Sequence, residues 1–251
     1  MRSRDPTTRS GPSHSLEERQ EQVQQRVELY YRQKGLGRND LLTNPEVLFQ
    51  HLALEESVVR ALHEASGLDR ETAQVLDVGC GGGGSLLRFL ELGFPPENLF
   101  GLDIDGDRIV EARHKLPQLT FLHDDATAMP FEVGRFDLVL ESTMFAIIPD
   151  QDVIRSIAAE MLRVTRPGGY LLLIDWRYAK RGHRPLDNRR IVELFRVGSV
   201  TDVVCRHRGP LVPPIGRAVS RYVPSAYFFL QALLPPLVGL HSTLLSKRPE
   251  R

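Results

Sequence analysis

The chain has 251 residues, of which 41% are hydrophobic, and its 32 Lys+Arg balance 32 Asp+Glu. That length suits one α/β domain with elaborations and is enough to bury a core. Zero net charge argues against a general nucleic-acid binder, which carries a basic surplus, and two cysteines, Cys80 and Cys205, argue against a disulfide framework or a Cys-based zinc site.

Met1–Ser15 is rich in Arg, Ser, Thr, Pro and Gly and reads as a disordered leader; it holds no apolar run, so no secretory signal is expected. Leu16–Lys34 predicts a helix with Val23, Val27, Leu29 and Tyr30 on one face and Gly35 as its stop. A second helix is predicted from about Asn44 to Ser66, with Asn44 as its cap and Pro45 at its first position. Strands then alternate with helices. Gln74–Val78, Leu99–Ile104, Leu119–Leu122, Phe136–Leu140 and Tyr170–Asp175 read as strands. Gly84–Leu92, Asp107–Lys115 and Asp152–Val164 read as helices between them, which implies a parallel sheet covered on both faces. Further on, Asn188–Phe195 reads as a helix, Thr201–Cys205 as a strand, Pro210–Arg217 as a proline-rich turn region and Ser242–Lys247 as a closing edge strand. The most apolar segment, Ala226–Leu240, is short for a bilayer span and is interrupted by Pro235-Pro236, so no transmembrane segment and a cytoplasmic location are expected.

The stretch Val75-Leu-Asp-Val-Gly-Cys-Gly-Gly-Gly-Gly-Ser85 joins a strand to a helix through a glycine cluster, the arrangement by which an open α/β sheet brings backbone close to a nucleotide. Gly79, Gly81 and Gly84 fit G-x-G-x-x-G, while Gly79, Gly81 and Gly83 fit G-x-G-x-G, so the turn alone admits two cofactor classes. Asp77, two residues before Gly79, opposes a pyrophosphate and suits a ligand with an ammonium and a sulfonium. Asp103, Asp124, Asp125 and Glu141 also follow strands, giving the carboxyl edge of the sheet an acidic rim.

With these residues the sequence resembles the class I S-adenosylmethionine-dependent methyltransferases, in particular their small-molecule branch. Five pieces carry the resemblance in order: Val75–Gly83, Gly101-Leu-Asp-Ile-Asp105, Asp125-Ala-Thr-Ala-Met-Pro-Phe131, Phe136-Asp-Leu-Val-Leu140 and Arg163-Val-Thr-Arg-Pro-Gly-Gly169. It implies a Rossmann-like α/β fold with a mostly parallel seven-stranded sheet, an N-terminal helical lid over residues 16–66, a cofactor-binding domain over 67–251 and a substrate-side insertion over 210–240. S-adenosylmethionine is the implied cofactor, S-adenosylhomocysteine its product, and no metal is expected. The resemblance places Asp77 near the methionine amino group, with Gly79, Cys80 and Gly81 along the methionine portion. Asp103 falls on the ribose hydroxyls, Ile104 on the adenine, and Asp125 with Ala126 at the adenine amino group.

Methyl transfer from a sulfonium needs a general base only when the acceptor keeps its proton at neutral pH. Glu141, Asp175, His183 and His207 are the candidates; Glu141 also reads as a hydrogen-bond partner of the cofactor amine or of a loop backbone. Tyr31, Arg38, Trp176 and Arg177 are substrate-side candidates, and Phe228 and Phe229 are candidates for an apolar acceptor wall. Asp137 and the Arg163–Gly169 stretch read as structural, and Cys80 as a packing residue. The expected acceptor is a small molecule, apolar in part: a natural product, a lipid-linked intermediate or a glycan sugar, methylated on oxygen. An RNA or protein methyltransferase and a non-catalytic S-adenosylmethionine-binding protein are the alternatives.

Overall fold

The computed structural model describes Gln25, residues 41–178 and residues 185–249. The expected leader and, apart from Gln25, the helix Leu16–Lys34 lie outside the described residues. After a 3-10 turn at Pro45–Val47 comes α1 (Leu48–His63), and then the alternation: β1 (Val75–Val78), α2 (Gly84–Glu91), β2 (Leu99–Asp103), α3 (Gly106–Lys115), β3 (Thr120–His123), β4 (Phe136–Ser142), α4 (Gln151–Val164) and β5 (Thr165–Trp176). The chain closes with α5 (Asn188–Leu194), β6 (Thr201–Arg208), α6 (Pro213–Tyr222), α7 (Tyr227–Leu233) and β7 (Leu240–Lys247).

The seven strands form one sheet in the order β3-β2-β1-β4-β5-β7-β6. The first five are mutually parallel, and β7 runs antiparallel between β5 and β6. Strand alternation divides the core. Leu76, Val78, Leu102, Val139 and Leu173 pack on one face with Ile154, Ile157 and Met161 of α4. Val75, Leu99, Leu138, Leu140 and Ile174 pack on the other with Val58 of α1, Phe89 of α2 and Ile109 of α3.

Three expectations are corrected. The strand over Ser242–Lys247 is not an edge: Ser242, Thr243, Leu244 and Leu245 are all buried, and β6, exposed over Asp202–Val204, forms the edge instead. The proline-rich stretch 210–217 is not a turn region throughout, since Pro213 and Pro214 open α6. Proline needs no N–H partner in a first helical turn, so the pair starts a helix rather than breaking one. Asn44 precedes the 3-10 turn but does not cap it with its side chain, which donates to Thr43 Oγ1 instead.

Asp137 and the 163–169 stretch hold the lower edge of the sheet together. Asp137 Oδ2 accepts from the Gln74 N–H at 2.8 Å, and its Oδ1 accepts from Arg166 Nε. Arg163 donates to the carbonyls of Phe131 and Met129 at 2.7 and 2.9 Å and pairs with Glu160. Replacing Asp137 with Ala strands the Gln74 N–H and the Arg166 guanidinium together. A loss of about 1–3 kcal/mol is expected in urea unfolding, and an unchanged midpoint would show that water replaces the carboxylate without cost.

Candidate active site

The glycine turn is built by hydrogen bonds from its own sheet neighbours. Gly79 and Cys80 N–H groups both donate to the Leu102 carbonyl, at 2.7 and 3.1 Å. Asp103, at the end of β2, accepts from the Gly81 N–H at 2.7 Å through Oδ2 and from the Asp105 N–H at 2.9 Å through Oδ1. Asp105 in turn caps α3 by accepting from the N–H groups of Asp107 and Arg108. Gly79, Gly81 and Gly83 take φ of +74°, +52° and +79°, the left-handed region where only glycine is free of strain. Gly84 is simply the first residue of α2. The backbone therefore uses the G-x-G-x-G spacing of the two that the sequence allowed.

A cleft of about 650 Å³, open solvent included, lies against this turn. Of the residues singled out from the sequence it gathers Gly79, Asp103, Ile104, Asp125 and Ala126. Asp125 Oδ1 already accepts from the Thr127 N–H at 2.8 Å. The sequence reading missed the opposite wall, made by Met144, Ile147 and Ile148 of the segment after β4 and by Val153 and Ile157 of α4. The adjacent isoleucines just beyond an acidic strand end were the available signal. It also missed Arg108. A Cβ at Gly81 would stand 2.2 Å from Arg108 Nη2, and one at Gly79 would stand 2.8 Å from Met144 Sδ. Two flexible side chains, rather than backbone, cover the open side of the glycines. Cys80 sits beneath: its sulfur takes the room that a side chain at Gly101 would need, at 2.7 Å from that position. Burial pushes its thiol far above the usual range, which suits a packing residue.

Buried acids mark the carboxyl edge. Asp77 is 1% exposed, and neither of its oxygens has a hydrogen-bond partner. Burial, with the nearby Asp103 carboxylate, raises its pKa to about 8. Glu141 is fully buried at the end of β4; Oε2 accepts from the Met144 N–H at 3.1 Å, and Oε1 has no partner. Asp175, near the end of β5, is equally enclosed: Oδ1 accepts from the Trp176 N–H at 2.6 Å, and Oδ2 has no partner. Burial raises Asp175 to about 7, and burial together with the Asp175 carboxylate raises Glu141 well above the carboxylate range. By strand alternation Glu141 and Asp175 share the face of Val139 and Leu173, while Asp77 and Asp103 share the opposite face. Thr143, just beyond Glu141, is held at φ +62° and donates to the Ile174 carbonyl at 2.8 Å, backbone strain of the kind that gathers at functional sites.

The remaining candidates separate. Tyr31, Arg38 and His183 lie outside the described residues. Trp176 lines neither this cleft nor the one beside β5, and its ring closes on Gly239. Arg177 lines a second cleft on the β5 side with Asp175 and donates to the Pro235 carbonyl at 3.0 Å. His207 points to the other face of β6, where it meets Glu64 Oε1 at 3.0 Å; with Cys205 these are the one His/Cys/acid group among the described residues close enough to share a metal ion, with ligand atoms within 4.8 Å. Phe228 and Phe229 line neither cleft and stand 38% and 66% exposed on the surface. They form no acceptor wall there.

Residues 75–169 match the family model described as a methyltransferase domain. The chain is 39% identical over 115 residues to a fatty-acid O-methyltransferase of Mycolicibacterium smegmatis, a match covering 45% of this chain and 40% of that protein. It is 30% identical over 179 residues to a phthiotriol/phenolphthiotriol dimycocerosates methyltransferase of Mycobacterium leprae, covering 69% of this chain and 63% of the relative. The chain thus spans less than two thirds of the length of either curated relative. Among solved structures, the [4+2]-cyclase SpnF superposes with a TM-score of 0.55 at 18% identity over 86% of each chain, a likeness of fold. No described helix is long and apolar enough to cross a membrane.

The buried acids give the protein a pH dependence of definite sign. A carboxyl whose pKa is raised on folding keeps its proton in the native state after the unfolded chain has lost it, so stability falls as pH rises from the ordinary carboxylate range through the raised value. For Asp77 and Asp175 that window closes near 8 and 7. The melting temperature of the ligand-free protein is expected to fall from about pH 5 to about pH 8, and Asp77→Asn to flatten the decline, adding at least about 1 kcal/mol at the alkaline end. An identical slope in the variant would remove Asp77 as a source.

Proposed function

We propose that this chain is a class I S-adenosylmethionine-dependent methyltransferase, that it binds S-adenosylmethionine in the cleft beside its glycine turn and that it passes the methyl group to an oxygen of a small-molecule acceptor. The observation that carries the reading is Asp77: a buried acid, neither of whose oxygens makes a well-formed hydrogen bond, under a turn that Asp103 holds open. A buried acid without a partner is costly unless a cationic or donor-rich ligand completes it.

The residues fit that cofactor. Asp103 spends one lone pair of each oxygen on backbone and keeps the others for a ribose diol. Ile104 and Ala126 line an apolar slot with Ile148, suited to a flat base, and Asp125 retains Oδ2 for an exocyclic amine. Met144 and Arg108 leave the glycines as the site fills. When bound, the sulfonium supplies the activated methyl. The protein's part is to align the acceptor and exclude water. A hydroxyl acceptor that takes the methyl group would give its proton to the Glu141–Asp175 pair. A carboxylate in the range of about 7 matches that task at neutral pH. A carboxylate acceptor requires no base.

The names of the relatives favour an acceptor with a lipid-like body. The exposed Phe228 and Phe229 suit contact with such a molecule outside the clefts. Both cysteines are free thiols, in keeping with a reducing, cytoplasmic setting. We read residues 16–66 as a lid and 210–240 as the acceptor-side insertion.

Calorimetry is expected to show binding of S-adenosylhomocysteine and none of NADH. Asp103→Asn keeps one of the two backbone bonds, sets its amide nitrogen against the other N–H and is expected to weaken that binding at least about tenfold, or about 1.4 kcal/mol; equal affinity removes Asp103 from the ribose. With a hydroxyl acceptor, Glu141→Gln is expected to cut kcat by about 10²-fold or more, whereas unchanged turnover leaves Glu141 as scaffold.

A further inference from the structure

The cleft on the β5 side of the acid pair has a chemistry of its own. It encloses about 790 Å³, open solvent included, and its cations come from three separate elements: Arg177 after β5, Arg189 on α5 and Arg206 on β6, with His241 of β7 among them. Arg206 lies on the edge strand yet turns inward, half-buried, and donates through Nε to Thr243 Oγ1 at 3.1 Å. Arg177 is fixed by the Pro235 and Val238 carbonyls. None of the three guanidiniums has a carboxylate within ion-pair distance among the described residues. Of the two acids in the lining, Asp187 is engaged in capping α5 by accepting from the Arg190 N–H, and Asp175 is the enclosed carboxyl described above. The residues 179–184 between Arg177 and α5 add Lys180, Arg181 and Arg184 to the sequence and no acid.

The cations are close enough to act on one another. Burial, then Arg177 and Arg206, hold the His241 imidazole neutral, with a pKa pushed down to about 4, and burial, then Arg177, lowers that of the half-buried Arg206. Two guanidiniums such as Arg177 and Arg206, repelling each other in a partly desolvated cleft, weaken the fold unless an anion neutralises them. Planar forks aimed at one space are the usual means of holding a carboxylate or a phosphate. The position matters too. Glu141 bonds Met144, which lines the first cleft, and Asp175 lines the second, so the acid pair forms the partition between them. Asp175 Oδ2, enclosed and without a partner, stands at that partition.

We propose that this second cleft binds an anionic group, a carboxylate or a phosphate, on the acceptor molecule, held by Arg177, Arg189 and Arg206. The assignment of the anion to the acceptor rests on the methyltransferase reading; the anion site itself does not. The acceptor is then an acidic, lipid-like molecule rather than a neutral one, anchored beside the acid pair with its apolar body directed out of the cleft.

The full chain is titrated at constant ionic strength with inorganic phosphate and, separately, with dodecanoate, with dodecanol as the uncharged control. Saturable heat in isothermal titration calorimetry is expected with at least one anion and not with dodecanol, and which anion saturates tells phosphate from carboxylate. Arg206→Gln and the more exposed Arg189→Gln are each expected to raise the apparent Kd at least tenfold, with a circular dichroism melting temperature no lower than that of the wild type certifying the fold. Failure of both anions to saturate, an equal response to dodecanol, or affinity unaltered in both variants overturns the site. Calorimetry of the wild-type chain with S-adenosylhomocysteine is run beside it. Anion binding without nucleoside binding would sink the methyltransferase reading alone, and the converse would sink the anion site alone.

Discussion

Four carboxylates, Asp103, Asp77, Glu141 and Asp175, stand out of water at the carboxyl ends of β2, β1, β4 and β5, four neighbouring strands of one sheet. Keeping them there is the constraint from which the site follows. Asp103 meets it by turning both oxygens to backbone N–H groups, and in doing so fixes the glycine turn. Asp77 has no such outlet, and Glu141 and Asp175 meet it only in part. A fold with nothing to bind has no reason to line up acids that it leaves unsatisfied.

Strand alternation then separates the acids onto two faces of the sheet. Asp77 and Asp103 face the side of the glycine turn, while Glu141 and Asp175 face the side that carries α4 and the arginine-lined cleft. On the proposed reading, one sheet edge serves a cationic donor on one side and a proton and an anion on the other. The strained Thr143 sits between them, tying the segment after β4 to Ile174 of β5.

Much of this was legible in the residues. The five ordered motifs fixed the β1–β5 alternation, and Asp137 with Arg163 behave as the structural pieces that their positions suggested, clamping Gln74 and the Met129–Phe131 backbone. Less local matters were not legible. Ser242–Lys247 alternates too little to reveal which neighbours it has, so its place inside the sheet emerged only from its pairing with both β5 and β6. Pro213-Pro214 reads equally as a turn and as a helix start. Phe228 and Phe229 look like a pocket wall in sequence but project outward because Tyr227, fully buried, takes the inward position of α7 and stacks on Phe49.

The sequence by itself carried the likeness to the methyltransferases: a glycine turn, an acid two residues before it and acids after successive strands are local features, and local chemistry suffices to define them. Only the tertiary structure decided which glycines carry the turn, because that depends on φ. It alone placed Arg108 and Met144 over the glycines, and it alone drew Arg177, Arg189 and Arg206 into one cleft. Those three arginines are spread over three elements, and a charge shows its partners only when the sheet has brought them within reach.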